Sequence, residues 1–154
     1  MKSLDQQKWK NPETYTYQQQ IKTTWGDMDA FGHINNVTFA RYFESVRADY
    51  FSTVGLWEND GRSVSSGMVI VNLNMDYRQQ AVYPQVLDAW LCTAHIGTKS
   101  FRMEFLMQNE NAAPVVTASA AFVWFDFGQQ KAVRVPEAFR DKVRLYEKKF
   151  DLQS

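Results

Sequence analysis

Several ingredients are scarce in this 154-residue chain, and each scarcity removes a class of explanation. There is a single cysteine, Cys92, so no intramolecular disulfide can form, and its setting in Leu91-Cys92-Thr93 reads as a small strand hydrophobe rather than a nucleophile. Only two histidines are present, His33 and His95, with no cysteine cluster and no ligand spacing, so a metal site finds no support. Seventeen basic and seventeen acidic residues cancel to a formal net charge of +0, which leaves no global field to attract DNA, RNA or an anionic membrane. No apolar run approaches the roughly 18 residues that a membrane helix needs, and residues 1–12 are polar and lysine-bearing, without the apolar centre of a signal peptide. The chain therefore reads as cytoplasmic. Glycine-rich phosphate loops, basic-aromatic RNA motifs, internal repeats and low-complexity tracts are all missing.

What remains is an ordinary globular composition enriched in aromatics, at 15%, which supplies large side chains for a core, a subunit interface or an acyl pocket. The length suits one domain with one core. Residues 15–25 alternate larger or apolar side chains with polar ones, the period of a strand. Phe39, Phe43, Val46, Tyr50 and Val54 then recur at steps of three and four, one face of a helix of about five turns that Asn35 is placed to cap and Gly55 to stop. A polar loop over residues 58–63 leads to the clearest strand. In it Val69, Val71, Leu73, Met75 and Tyr77 point one way and Asn72, Asn74, Asp76 and Arg78 the other, which predicts one wet face. Pro84 turns the chain into a strand over residues 86–96, Gly97-Thr98-Lys99 turns it again, and Phe101, Met103, Phe105 and Met107 alternate with polar residues on the return. A long β-rich run over residues 115–127 follows. Pro136 opens a terminal helix with the stripe Phe139, Val143, Tyr146 and Phe150, with Lys148 and Lys149 in its last turn. Strand, long helix, four strands and terminal helix predict an α+β fold with a mostly antiparallel sheet and one helix packed on it.

The densest chemistry lies between the first strand and the long helix, in Asp27-Met28-Asp29-Ala30-Phe31-Gly32-His33-Ile34-Asn35-Asn36. A carboxylate just before a helix N-terminus, with unpaired backbone N–H groups at that terminus, can act as base or nucleophile beside donors that stabilise a developing oxyanion. Acyl transfer uses both. From the local residues alone, Asp29 also suits a turn cap, Asp27 suits an organiser of the loop, and His33 suits either a substrate-orienting imidazole or one bonded to a backbone carbonyl.

This stretch, continued by Tyr42-Phe43-Glu44 and Arg47, resembles the hotdog-fold thioesterases of the 4-hydroxybenzoyl-CoA thioesterase type, in the subgroup carrying Asp-x-Asp-x-x-Gly-His-Ile-Asn-Asn. Asp76-Tyr77-Arg78 with Tyr83-Pro84 and Asp88, and Lys99-Ser100-Phe101, match further segments in the family's order, so the resemblance spans roughly residues 15–140. It implies an antiparallel five-stranded sheet wrapped around a long central helix, with a C-terminal helix after it. The expected layout is a polar extension over residues 1–14 and a single hotdog domain over 15–154. It implies hydrolysis of an acyl-CoA, or of an acyl-carrier-protein thioester, without metal or redox cofactor, by subunits that form homodimers or homotetramers with the site at the subunit boundary. Asp29 is the implied catalytic carboxylate, the backbone amide of Asn36 polarises the carbonyl, and His33 is a further candidate. Plant acyl-carrier-protein thioesterases pair a histidine at this point with an asparagine two residues earlier; here that residue is Phe31. Aromatic-substrate members have proline after the aspartate, where this chain has Ala30, which leans towards a fatty or otherwise apolar acyl group.

Secondary candidates are Lys99, either a solvated turn lysine or a ligand of a coenzyme A phosphate, and Ser65, Ser66 and Gly67, either loop caps or a pocket lining. Glu44 and Arg47 suit a helix-surface pair or a tie between helix and sheet. Two rival readings lack their marks in this sequence. A hotdog hydratase or dehydratase would carry Asp-x-Asn-Pro-x-His or His-Phe-Pro-Gly, neither present, and a non-catalytic acyl-binding module would be expected to have replaced Asp29.

Overall fold

The computed structural model describes residues 3–56, 65–148 and 152. The polar loop expected at 58–63 lies outside them, as do Lys149 and Phe150. In chain order the elements are α1 (Ser3–Lys8), β1 (Tyr17–Lys22), α2 (Asn36–Val54), β2 (Ser66–Tyr77), β3 (Val86–Ile96), β4 (Ser100–Gln108), β5 (Pro114–Asp126), β6 (Lys131–Ala132) and α3 (Glu137–Tyr146). The five long strands form an antiparallel sheet in the order β1-β3-β4-β5-β2, and the two-residue β6 pairs with β5. No helix among the described residues is long and apolar enough to cross a membrane.

Helix α2 lies across one face of this sheet because its stripe and the sheet's inward residues remove each other from water. Phe39, Phe43, Val46, Tyr50 and Phe51 are buried against Leu87, Ala89 and Leu91 of β3 and Phe101, Met103, Phe105 and Met107 of β4. Each such phenylalanine contributes roughly 1.5–3 kcal/mol of burial. The helix begins at the Asn35 cap, whose side chain accepts from the Val37 amide, and stops at Gly55, whose φ of 83° is left-handed backbone that glycine adopts without penalty. Glu44 and Arg47 do pair, at 2.9 Å, and the Arg47 guanidinium also lies over the Phe122 ring of β5, so the pair ties α2 to the sheet.

Among the described residues, a second, smaller cluster covers part of the outer face of the sheet. Trp9 and Tyr15 pack there with Trp90, Cys92, Ala94 and Leu106, and the Tyr15 hydroxyl donates to the Trp9 carbonyl at 2.8 Å. Cys92 is fully buried, which pushes its thiol well above the usual range. At the far end of α3 the buried Glu147 carboxylate accepts from the Tyr50 hydroxyl at 2.8 Å and the Thr93 amide at 3.0 Å.

Two expectations need correcting. The strict alternation of β2 breaks at an irregularity between Ile70 and Asn72, and its apolar residues are not dry: β2 is one of the sheet's two edges, and Val71, Leu73 and Tyr77 are exposed in the single chain. Helix α3 ends at Tyr146, so Lys148 lies beyond it and the basic residue of its last turn is Arg144.

Candidate active site

The loop between β1 and α2 is held by its own backbone. A single 3-10 turn over Trp25–Asp27 is followed by a bridge between Met28 and Ile34, with the Asp29 amide donating to the His33 carbonyl at 2.9 Å. The Gly32 amide closes the tip onto the Asp29 carbonyl at 3.0 Å, and the φ of 78° at Gly32 explains why glycine stands there. Buried Ile34 anchors the loop, its amide donating to the Ala81 carbonyl at 2.8 Å. The result is a rigid turn that presents Asp29 at its base.

Asp27 is the organiser. Its carboxylate accepts from the Thr24 hydroxyl at 2.6 Å, from Arg41 at 2.8 Å and from the Tyr42 hydroxyl at 3.3 Å, while its carbonyl accepts from the Asn35 amide. The Thr24 bond first, then Tyr42 and Arg41, hold this carboxyl below the usual range; burial beside Asp27 pushes the Tyr42 phenol up to about 12.

Asp29 differs in kind. One carboxylate oxygen accepts from the Phe31 amide at 2.9 Å, and the other makes no hydrogen bond among the described residues. It does not cap α2, because Asn35 does. That cap satisfies Val37 and leaves the Asn36 amide, at the start of α2, without a partner among the described residues. Asp29, His33 and Asn36 line one cavity of about 480 Å³ with Phe39, Tyr77 and Arg78. The His33 imidazole makes no hydrogen bond among the described residues; only its backbone carbonyl is engaged. Tyr77, a strand residue that the sequence does not mark as part of this site, donates its hydroxyl to the Asn36 carbonyl at 3.4 Å; its place beside Asp76 and Arg78 is the available signal.

Ser65, Ser66, Gly67 and Lys99 do not join this group within one chain. Ser66 and Gly67 are the first residues of β2, not a loop before it, and Tyr77 is the last, so the strand's 12 residues separate them from Asp29's cavity. At roughly 3.3 Å per residue that is about 36 Å. Ser66 Oγ accepts from the Trp124 indole at 3.1 Å, the Ser65 carbonyl accepts from the Phe127 amide, and the Lys99 carbonyl accepts from the Trp124 amide. These four candidates therefore gather at the opposite end of the sheet.

The antiparallel sheet and its central helix fall within a known family: residues 23–143 match the model of the thioesterase-like superfamily. The chain belongs to that superfamily. As a thioesterase-like protein it is a thioester hydrolase by class. Its relatives include the long-chain acyl-CoA thioesterase FadM of Escherichia coli, 28% identical over 131 residues, covering 82% of this chain and 96% of FadM. The uncharacterized Bacillus subtilis protein YsmA is 27% identical over 127 residues, 82% of this chain and 83% of YsmA. A Thermus thermophilus thioesterase solved in complex with coenzyme A and zinc is 25% identical and superposes with a TM-score of 0.75, covering 88% of this chain and 97% of that one.

Proposed function

We propose that this thioesterase-like protein hydrolyses acyl-CoA thioesters, with Asp29 as general base or nucleophile and the Asn36 amide as the oxyanion donor, as in the Asp-x-Asp-x-x-Gly-His-Ile-Asn-Asn subgroup of 4-hydroxybenzoyl-CoA-type enzymes. The observation that carries the reading is one carboxylate oxygen and one helix N-terminal amide, both without partners among the described residues, on residues that line the same cavity. As a base, Asp29 takes a proton from water while the hydroxide adds to the thioester carbonyl. The oxyanion is met by the Asn36 N–H, and collapse expels the thiolate, which recovers the proton from Asp29. As a nucleophile, the same carboxylate displaces the thiolate to form a mixed anhydride that water opens. The long-chain acyl-CoA activity named for FadM supports an acyl-CoA substrate, and the acyl-carrier-protein activity named for an Arabidopsis thaliana relative supports acyl-carrier protein as the second donor.

Dimerisation completes the arrangement. The outer edge of β2 pairs with no strand among the described residues and exposes Val71 and Leu73. Antiparallel pairing of two copies about a twofold axis near Val71 and Asn72 brings Ser66, Gly67 and Lys99 of one copy beside the Asp29 loop of the other. Within that dimer the loop and edge candidates form a single site at the subunit boundary, and a tetramer would be a pair of such dimers.

A panel of acyl-CoAs varied in length and aromaticity, followed by release of free thiol, tests the reaction. Hydrolysis of some members is expected; binding without hydrolysis of any would favour the non-catalytic acyl-binding reading. Light scattering of the active protein should give at least twice the 17.9 kDa chain mass, and full turnover by a monomer would overturn the shared site.

A further inference from the structure

Arginine is seldom fully buried, yet Arg140 of α3 has no exposed surface. Burial opposes its positive charge, Arg134 opposes it too, and Glu137 favours it. A guanidinium stays ionised in a protein, so the placement is costly, and its partners show what the fold gains. Nε donates to the Val135 carbonyl at 3.0 Å, and one terminal nitrogen donates to the carbonyls of both Gly97 and Thr98, the latter at 2.9 Å. Gly97 and Thr98 belong to the three-residue turn between β3 and β4, whose third member is Lys99.

That turn needs no buried cation in order to close. The Gly97 amide already donates to the Ser100 carbonyl at 2.7 Å, and β3 and β4 pair antiparallel on either side. What Arg140 adds is orientation. The Thr98 carbonyl also accepts from the Val135 amide at 2.9 Å and the Lys99 carbonyl from the Trp124 amide at 2.9 Å, so all three carbonyls of the turn face protein while the side chains of Thr98 and Lys99 are exposed. The negative ends of these peptide dipoles are thereby withdrawn from the surface around Lys99 and a positive charge is set behind them, which favours an anion there. Trp124 extends the same frame: its indole donates to Ser66 Oγ at 3.1 Å, and its ring packs edge-on against Phe139, the residue before Arg140. Helix α3 thus fixes Lys99 and Ser66 together, the corner that one copy contributes to the other's Asp29 loop in the dimer proposed above. The anion that an acyl-CoA brings to such a corner is a phosphate of its nucleotide.

We infer that Arg140 is a positioning residue for coenzyme A: gripping the β3–β4 turn from inside, it holds the Lys99 ammonium against the nucleotide phosphates of a thioester bound in the site shared with the partner subunit. The inference rests on the acyl-CoA reading and on that shared site, and it gives Arg140 no contact with substrate. The test is steady-state kinetics with one acyl group carried on coenzyme A and on pantetheine, which lacks the nucleotide phosphates, in the wild type, Arg140→Met, Arg140→Lys, Lys99→Ala and the double variant Arg140→Met/Lys99→Ala. Arg140→Met should raise KM for the acyl-CoA at least about fivefold with kcat within about twofold, and leave KM for the acyl-pantetheine within about twofold. Arg140→Lys keeps the charge but not the fork that spans three carbonyls, so it should show a smaller rise of the same kind, at least about twofold, and it carries the test alone if Arg140→Met does not fold. The double variant should be no worse than Lys99→Ala, because the two residues act through one contact. A residue that merely stabilises the fold would lower the active fraction and treat both substrates alike. Equal changes for the two thioesters, or additive effects of Arg140→Met and Lys99→Ala, overturn the inference. Calorimetric binding of free coenzyme A to the wild type and Arg140→Lys separates it from the reaction: a wild type that hydrolyses no acyl-CoA would remove the Asp29 reading, whereas equal affinity for coenzyme A in both proteins, or none in either, would remove the role of Arg140.

Discussion

At the C-terminal half of α2, Phe51 packs against Phe101 and Phe139, Phe122 stacks on Phe101 at 4.9 Å, and the buried Arg140 guanidinium is taken up by the carbonyls of Gly97, Thr98 and Val135. At the N-terminal end of the same helix, Asp29 and Asn36 keep groups unpaired among the described residues, and Trp25, Phe31 and Val37 stand in water, Phe31 at 86% exposure. One helix thus joins a region where nearly every ring and donor has found its partner to a region where several have not. Packing that satisfies every group gives stability and fixed positions; the roles proposed for Asp29 and the Asn36 amide require groups that the fold leaves unsatisfied. The cost of the open end is met by the closed one.

The largest expected effect tests the closed end. Phe101→Ala removes a fully buried ring that touches three others and should lower unfolding free energy by about 3–5 kcal/mol in chemical denaturation, with the folded fraction retaining its kcat. A loss below about 1 kcal/mol would mean that the aromatic cluster is not the frame. The converse variant, Asp29→Asn, should lower thioester hydrolysis at least about a hundredfold while leaving the melting temperature near that of the wild type, because the side chain is exposed and the Asn oxygen can still accept from the Phe31 amide. Near wild-type turnover would remove Asp29 from the reaction and erase the contrast between the two ends.

The smallest effect concerns the border between them. Tyr42, with its phenol raised from 10.0 to about 12 first by burial and then by Asp27, holds its proton in the fold where the unfolded chain has lost it. Its contribution is therefore fully present below pH 10 and is lost as the pH rises through about 12. Thermal melts between those limits should show a shallower loss of stability in Tyr42→Phe than in the wild type. Parallel curves would show that the Tyr42 contact with Asp27 does not couple the loop to α2.

Local chemistry was legible wherever a signal and its consequence lie within a few residues. Asn35 and Gly55 bracket α2 because a cap side chain and a left-handed glycine act on the adjacent turn, and Phe101 to Met107 announce a strand because side chains alternate whatever the neighbouring strand is, although the opposite face, with Glu104, Leu106 and Gln108, is buried too. In the Asp27–Asn36 loop the cap at Asn35 and the organising carboxylate of Asp27 were legible for the same reason, whereas the local residues left Asp29 open to a capping role that Asn35 takes instead. The end of α3 was less so: the stripe through Phe150 suggested another turn, whereas the chain leaves the helix after Tyr146 and turns the carboxylate of Glu147 in to Tyr50 and Thr93.

By itself, then, the sequence determined the five long strands, the two longer helices apart from the end of α3, and the buried face of α2 with its caps. The tertiary structure alone decided that β2 pairs with β5 and becomes an edge of the sheet, that Ser66 and Lys99 lie a strand's length from Asp29, that Arg140 is buried on carbonyls, and that Asp29 shares a cavity with His33 and Asn36. The physical reason is range. Caps, turns and side-chain periodicity are settled by interactions a few residues apart. Strand order, edges and cavities depend on which distant segments cover one another and satisfy one another's hydrogen bonds, and no local pattern carries that choice.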